Sequence, residues 1–214
     1  MKKINKQTIQ TLINYYKSSD LAKLEKEVKK LLKTFPDEEF LYNILGISFV
    51  ERKKFDEAIS TFKKTLSINP NNAEIFCNIG NTYFAQRKFS QSIKNYQKSL
   101  SIKPDYAEAH NNLGNAYKEL GKLEEAVNSY KKALAINPDF PSLHNNLGNV
   151  YKELGRLDSA LDSYQEALSY NPDHPDSLNN LGVIFFKLGE FEKSSQYYEK
   201  AIKIKPNFAE ACNN

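Results

Sequence analysis

The 214-residue sequence has no tryptophan, one methionine and two cysteines. Two cysteines supply neither a disulfide framework nor a pair-plus-pair metal site. The N-terminal MKKINKQTIQ lacks the apolar run of a secretory signal, and no segment approaches the roughly 20 apolar residues of a membrane span. There is no Gly-rich phosphate loop and no nucleophile elbow, and the carboxylates recur with the rest of the pattern without forming a pair of their own. Of the three histidines, His110 and His144 stand at equivalent places 34 residues apart, too far to share one metal ion, and His174 lies in a loop after Pro172. These absences exclude a recognisable catalytic, cofactor or metal centre and fit a reducing cytoplasm. The net charge of +4 is also uninformative, because residues 1–38 hold nine lysines against five acids and the remaining 21 basic and 21 acidic residues cancel. A nucleic-acid solenoid would show a basic stripe, whereas here Lys and Glu interleave at helical spacing as on a solvated face. Neither nucleic acid nor a membrane is expected as a partner.

What is present is repetition. Residues 107–140, AEAHNNLGNAYKELGKLEEAVNSYKKALAINPDF, match residues 141–174 at 20 of 34 places. The same period yields copies at 39–72, 73–106 and 175–208, a worn copy before residue 39, and an opening fragment at 209–214. A period of this length marks a solenoid, so function is expected on an elongated surface. Cys77 and Cys212 then lie about four repeats apart, too far to bridge.

Each period reads as two amphipathic helices. His110, Leu113, Gly114, Tyr117 and Leu120 form one apolar stripe; Leu123, Ala126, Val127, Tyr130, Ala133 and Leu134 form a second. Gly121 suits a left-handed residue closing the first helix, and Pro138 stops the second by forcing Asn137 out of helical geometry. Asp56, Ser90, Glu124, Asp158 and Glu192 stand where the second helices begin, to cap free amides or oppose the helix dipole. Glycine inside a helix costs about 1 kcal/mol against alanine, so Gly46, Gly80, Gly114, Gly148 and Gly182 require close helix approach. Ala58, Ser92, Ala126, Ala160 and Ser194 are the expected small partners, with Phe62, Tyr96, Tyr130, Tyr164 and Tyr198 filling the space between pairs.

These residues carry a resemblance to the tetratricopeptide repeat, with its small residue after leucine, its Ala-x3-Phe/Tyr and its closing proline. The likeness implies an all-α, right-handed superhelical solenoid of antiparallel helix pairs. It covers residues 39–208; residues 1–38, where Leu12 and Leu24 replace the small residues, are expected to form a divergent N-terminal capping hairpin.

The expected inner face is rich in asparagine. Asn78, Asn112, Asn146 and Asn180 precede the core leucine or its equivalent; Asn43, Asn111, Asn145 and Asn179 come one place earlier; Asn81, Asn115 and Asn149 follow the glycine, with Lys118 and Lys152 a turn on. Asparagine is a poor helix former, so a column of it calls for a use. A primary amide donates and accepts, and can therefore pair with the N–H and C=O of an extended peptide whatever its side chains. The same column is also served by amides bonded between neighbouring repeats.

The NNLGNxYK run resembles the repeat arm of O-linked N-acetylglucosamine transferases, which implies an asparagine ladder, Asn78, Asn112, Asn146, Asn180 and Asn214, holding a substrate polypeptide in extended form. The expectation is thus a non-catalytic scaffold binding a protein or peptide in its concave groove. The alternative is the substrate-presenting arm of a larger glycosyltransferase or sulfotransferase, favoured by the AEACNN at 209–214, which restarts a repeat. The last second helix carries Tyr197, Tyr198, Ala201, Ile202 and Ile204, and the chain is expected either to fray from this end or to self-associate through its open apolar edge.

Overall fold

The computed structural model describes residues 4–206, and among them the protein is all-α, with twelve helices and no strand. They fall into two compact units, 1–104 and 105–214. The first holds α1 (Lys6–Lys17), α2 (Leu21–Leu32), α3 (Glu39–Glu51), α4 (Phe55–Ile68), α5 (Ala73–Ala85) and α6 (Phe89–Ile102). In the second are α7 (Ala107–Glu119), α8 (Leu123–Ile136), α9 (Pro141–Glu153), α10 (Leu157–Tyr170), α11 (Pro175–Lys187) and α12 (Phe191–Ile204). Each unit is three helix hairpins, and within it the second helix of one hairpin packs on the first helix of the next. None of the described helices is long and apolar enough to cross a membrane.

Helix boundaries follow the expected punctuation, with one correction. Gly121, Gly155 and Gly189 adopt left-handed φ of +69°, +74° and +77° between paired helices. Ser19, Lys53 and Arg87 take the same conformation without glycine in the first three hairpins. Asn137 is extended (φ −134°, ψ 92°) ahead of Pro138, as the proline demands. The correction concerns the caps of the second helices. Those positions are Lys54, Lys88, Lys122, Arg156 and Glu190, and none makes a side-chain cap hydrogen bond. Asp56, Glu124, Asp158 and Glu192 lie two residues after the cap, in the first turn, where a carboxylate opposes the dipole without closing a cap.

The helical glycines admit a ring. A β-carbon built at Gly114 would stand 2.6 Å from Cδ1 of Tyr130, and one at Gly148 the same distance from Cε1 of Tyr164. The aromatic of the same hairpin thus packs directly against the first helix, inside the pair and not only between pairs. Tyr96, Tyr130, Tyr164 and Phe62 are each almost wholly buried. Where serine replaces the small alanine it is satisfied: Ser92 Oγ donates to the Gly80 carbonyl and Ser194 Oγ to that of Gly182, both at 2.9 Å.

The N-terminal hairpin joins the core of its unit. Leu12 and Leu24 are fully buried with Val28, Leu41, Leu45 and Phe62 in one cluster. Glu25, on α2, is buried and accepts from Arg52 Nη1 at 2.6 Å, tying α2 to the end of α3. At the other end, Tyr198 and Ala201 pack against Leu178, and the Tyr197 ring stacks on Phe185 at 5.4 Å. Of the apolar stripe expected to form an open edge, Ile204 remains exposed; Ala209 to Asn214, with Cys212, lie outside the described residues.

Candidate functional site

The asparagines serve three structural purposes before any ligand is considered. Those following the glycine anchor the buried aromatics: the hydroxyls of Tyr96, Tyr130 and Tyr164 donate to Oδ1 of Asn81, Asn115 and Asn149 at 2.7, 2.6 and 2.8 Å. Burial, reinforced by the Glu153 charge, holds the Tyr130 and Tyr164 hydroxyls above the usual tyrosine range, so they remain donors. A second set pairs diagonally from one repeat to the next. Asn78 Nδ2 donates to Asn43 Oδ1 at 3.0 Å, and Asn180 Nδ2 to Asn145 Oδ1 at 3.1 Å. The third set is largely interior: Asn145 and Asn179 are buried, at 7% and 4% exposure, and of the two Asn145 alone reaches the cleft described below.

One diagonal pair is not made. The register that joins Asn43 to Asn78 would join Asn111 to Asn146, yet Asn111 Nδ2 turns to Asn112 Oδ1 of its own helix at 3.2 Å. The Asn111 Oδ1 atom is left buried without a hydrogen-bond partner.

Within the second unit, side chains from three consecutive hairpins meet on a cleft of about 440 Å³. It is lined by Lys118 of α7, Asn145, Asn149, Lys152 and Glu153 of α9, and Asp176 and Asn180 of α11. Five residues of the inner face read from sequence are thereby brought together, while Asn78 and Asn81 belong to the other unit. The lining is held by its own bonds. Lys152 Nζ donates to Asn180 Oδ1 at 2.8 Å, Lys118 Nζ lies 3.4 Å from Glu153 Oε1, and Asn145 Oδ1 also accepts from Ser177 Oγ at 3.2 Å. Beneath it, His174 Nδ1 accepts from the Ser177 N–H at 3.3 Å and caps α11. Burial lowers the His174 pKa, partly opposed by Asp176, and so favours the neutral ring that this cap needs.

Two lysines and two carboxylates make the cleft neutral and rich in both donors and acceptors. Sequence reasoning missed the carboxylates Glu153 and Asp176. The signal for the first was the Lys-Glu pair inside the YKELG run of two successive repeats.

The three purposes separate under substitution. Asn145→Ala should cost about 1–3 kcal/mol, because Ser177 and Asn180 lose a buried acceptor. Asn146→Ala, which removes no described hydrogen bond, should be neutral or stabilising by a few tenths of a kcal/mol through helix propensity. Urea denaturation of the two variants checks this, and equal losses would contradict it.

The chain matches known proteins as follows. A TPR repeat profile matches residues 46–87, 80–121, 114–155 and 148–189, and a tetratricopeptide repeat profile matches residues 175–208. No curated protein sequence matches significantly. Among solved structures, that of MamA is 26% identical with a TM-score of 0.71, over 77% of this chain and 96% of the other. YrrB, described as a TPR protein with an unusual peptide-binding site, is 20% identical with a TM-score of 0.70, over 87% and 96%. The pilF protein of Pseudomonas aeruginosa is 16% identical with a TM-score of 0.82, over 96% and 93%. At these last two identities the likeness is one of fold.

Proposed function

Since the chain belongs to the tetratricopeptide repeat family, we propose that it is a non-catalytic protein-interaction scaffold that holds an extended polypeptide segment in the cleft of residues 105–214. The observation that carries this reading is the convergence of Lys118, Asn149, Lys152 and Asn180 with Glu153 and Asp176 on one neutral surface. Such a surface offers paired donors and acceptors to a peptide backbone, whose own N–H and C=O groups alternate in sign. An isolated carboxylate or phosphate finds no such match, because each lysine already faces an oxygen of the cleft. The bonds within the lining fix its rotamers beforehand, which lowers the ordering cost of binding. YrrB, of the same fold, is described as having a peptide-binding site, in line with this reading.

The test is to pan a random twelve-residue peptide library on the whole chain. Enriched peptides should bind in solution and lose affinity about tenfold or more when Lys152 and Asn180 are both changed to alanine, as two backbone hydrogen bonds of about 0.5–1.5 kcal/mol each would give. Circular dichroism melting keeps loss of binding apart from loss of fold. Absence of enrichment, or selected peptides indifferent to the double substitution, would sink the proposal.

A further inference from the structure

The sixth repeat departs from its neighbours at the places that face the cleft. Where α7 and α9 carry Asn115 and Asn149, α11 carries Val183; where they carry Lys118 and Lys152, it carries Phe186. Phe186 is 54% exposed, and Leu188 and Phe191, in and just after the same turn, are 51% and 62% exposed. No other large apolar side chains among the described residues are as open, and these three fall within one turn region. The Phe186 and Phe191 rings meet edge to face at 5.5 Å and 68°, which fixes the platform, while Val183, one turn before Phe186 on α11, is partly buried against the Leu178–Tyr198 cluster. A large fixed apolar patch on a soluble surface is a docking feature far more often than a scattered single side chain.

Resting on the reading of the cleft as a peptide site, we propose that Val183, Phe186 and Phe191 form its apolar end, a subsite for one large aliphatic or aromatic side chain of the same extended segment. Continuity argues for this occupant. Lys152 reaches from α9 to Asn180 of α11, so the cleft already ends on the helix that bears Phe186. Where another hairpin follows, the position of Phe186 stays partly open, since Lys118 keeps 33% of its side-chain surface exposed, whereas Leu154 and Leu157, the counterparts of Leu188 and Phe191, are partly buried.

The same peptide selection tests it on the whole chain. Peptides enriched by the unchanged protein should share one large apolar residue, and replacing it by serine in a fluorescein-labelled copy should weaken binding about tenfold. Phe186→Lys installs the residue that α7 and α9 carry there and so suits the fold. It should weaken the parent peptide by a similar factor and bind the parent and serine peptides equally. A Phe186→Lys protein that still prefers the apolar peptide overturns the subsite while leaving the peptide cleft standing. Failure of any peptide to respond to the Lys152→Ala, Asn180→Ala pair defeats the cleft itself. Light scattering supplies a further outcome, since a concentration-dependent dimer abolished by Phe186→Lys would show the patch to be covered by a second copy and overturn the proposal.

Discussion

Tyr164→Ala should destabilise the second unit by about 3–5 kcal/mol, the usual cost of emptying a fully buried aromatic site. Tyr164 is wholly buried in the cluster that includes Tyr130, Leu147 and Leu181, and its hydroxyl donates to Asn149. Tyr164→Phe removes that bond alone and should cost about 1 kcal/mol. Gly148→Ala is the complementary intrusion. Alanine favours the helix by about 1 kcal/mol, but its β-carbon would enter the space of the Tyr164 ring, and overpacking costs about 1–3 kcal/mol. The sign of the net effect is expected to be destabilising because the ring is caged on all sides and cannot retreat as a flexible side-chain end would. Combining Gly148→Ala with Tyr164→Ala gives the added methyl room, so the pair should destabilise by less than the sum of the singles. Denaturant titrations of the four proteins measure the cycle, and strict additivity would refute the contact.

The glycine and the tyrosine illustrate what the sequence makes legible. A 34-residue period with two helical stripes fixes helix number and type, because apolar spacing within one helix is a local property. That Gly148 faces something close could be inferred from its helical cost. That the something is the ring of Tyr164, and that the hydroxyl of this ring takes Asn149, depends on how two helices lie across one another, which spacing does not encode. The same holds for the amides. Asn145 and Asn146 are adjacent in sequence and alike in propensity, yet one is buried beneath Ser177 and Asn180 and the other is half-buried and unbonded among the described residues. A column of identical residues therefore hides a division between fastening and display. Phe186 was legible in principle, as the place where a repeated lysine gives way to an aromatic, but only comparison of repeats position by position exposes it.

The N-terminal hairpin is where repeat logic says least, and Arg52→Ala should reveal how it is fastened. The hairpin lacks the glycine and the small residue that let other pairs close up, and Leu12 and Leu24 take their places. Its buried polar tie to the next hairpin is Glu25, whose side chain is 9% exposed and bonded to Arg52 Nη1 at 2.6 Å, with Ser48 Oγ at 3.5 Å and Lys29 Nζ at 4.0 Å; a longer, exposed bond joins the Tyr16 hydroxyl to Glu51. Removing the arginine leaves a carboxylate buried in a cluster of leucines with weaker compensation. Loss of one partner of a buried pair typically costs about 3–5 kcal/mol, and the remaining serine and lysine should hold this case near the lower end. The reverse change is expected to be milder. Arg52 is 38% exposed, so Glu25→Gln leaves a cation that water can reach and a neutral amide in place of the buried charge, with a cost of about 1 kcal/mol. The asymmetry is the diagnostic, because an exposed surface pair would lose little and lose it equally from either side. Hydrogen exchange locates the effect: with Arg52→Ala, amides of α1 and α2 should lose protection before those of α5 and α6. If protection falls uniformly through residues 4–104, or if Glu25→Gln proves the costlier change, Glu25 and Arg52 do not act as the fastening described.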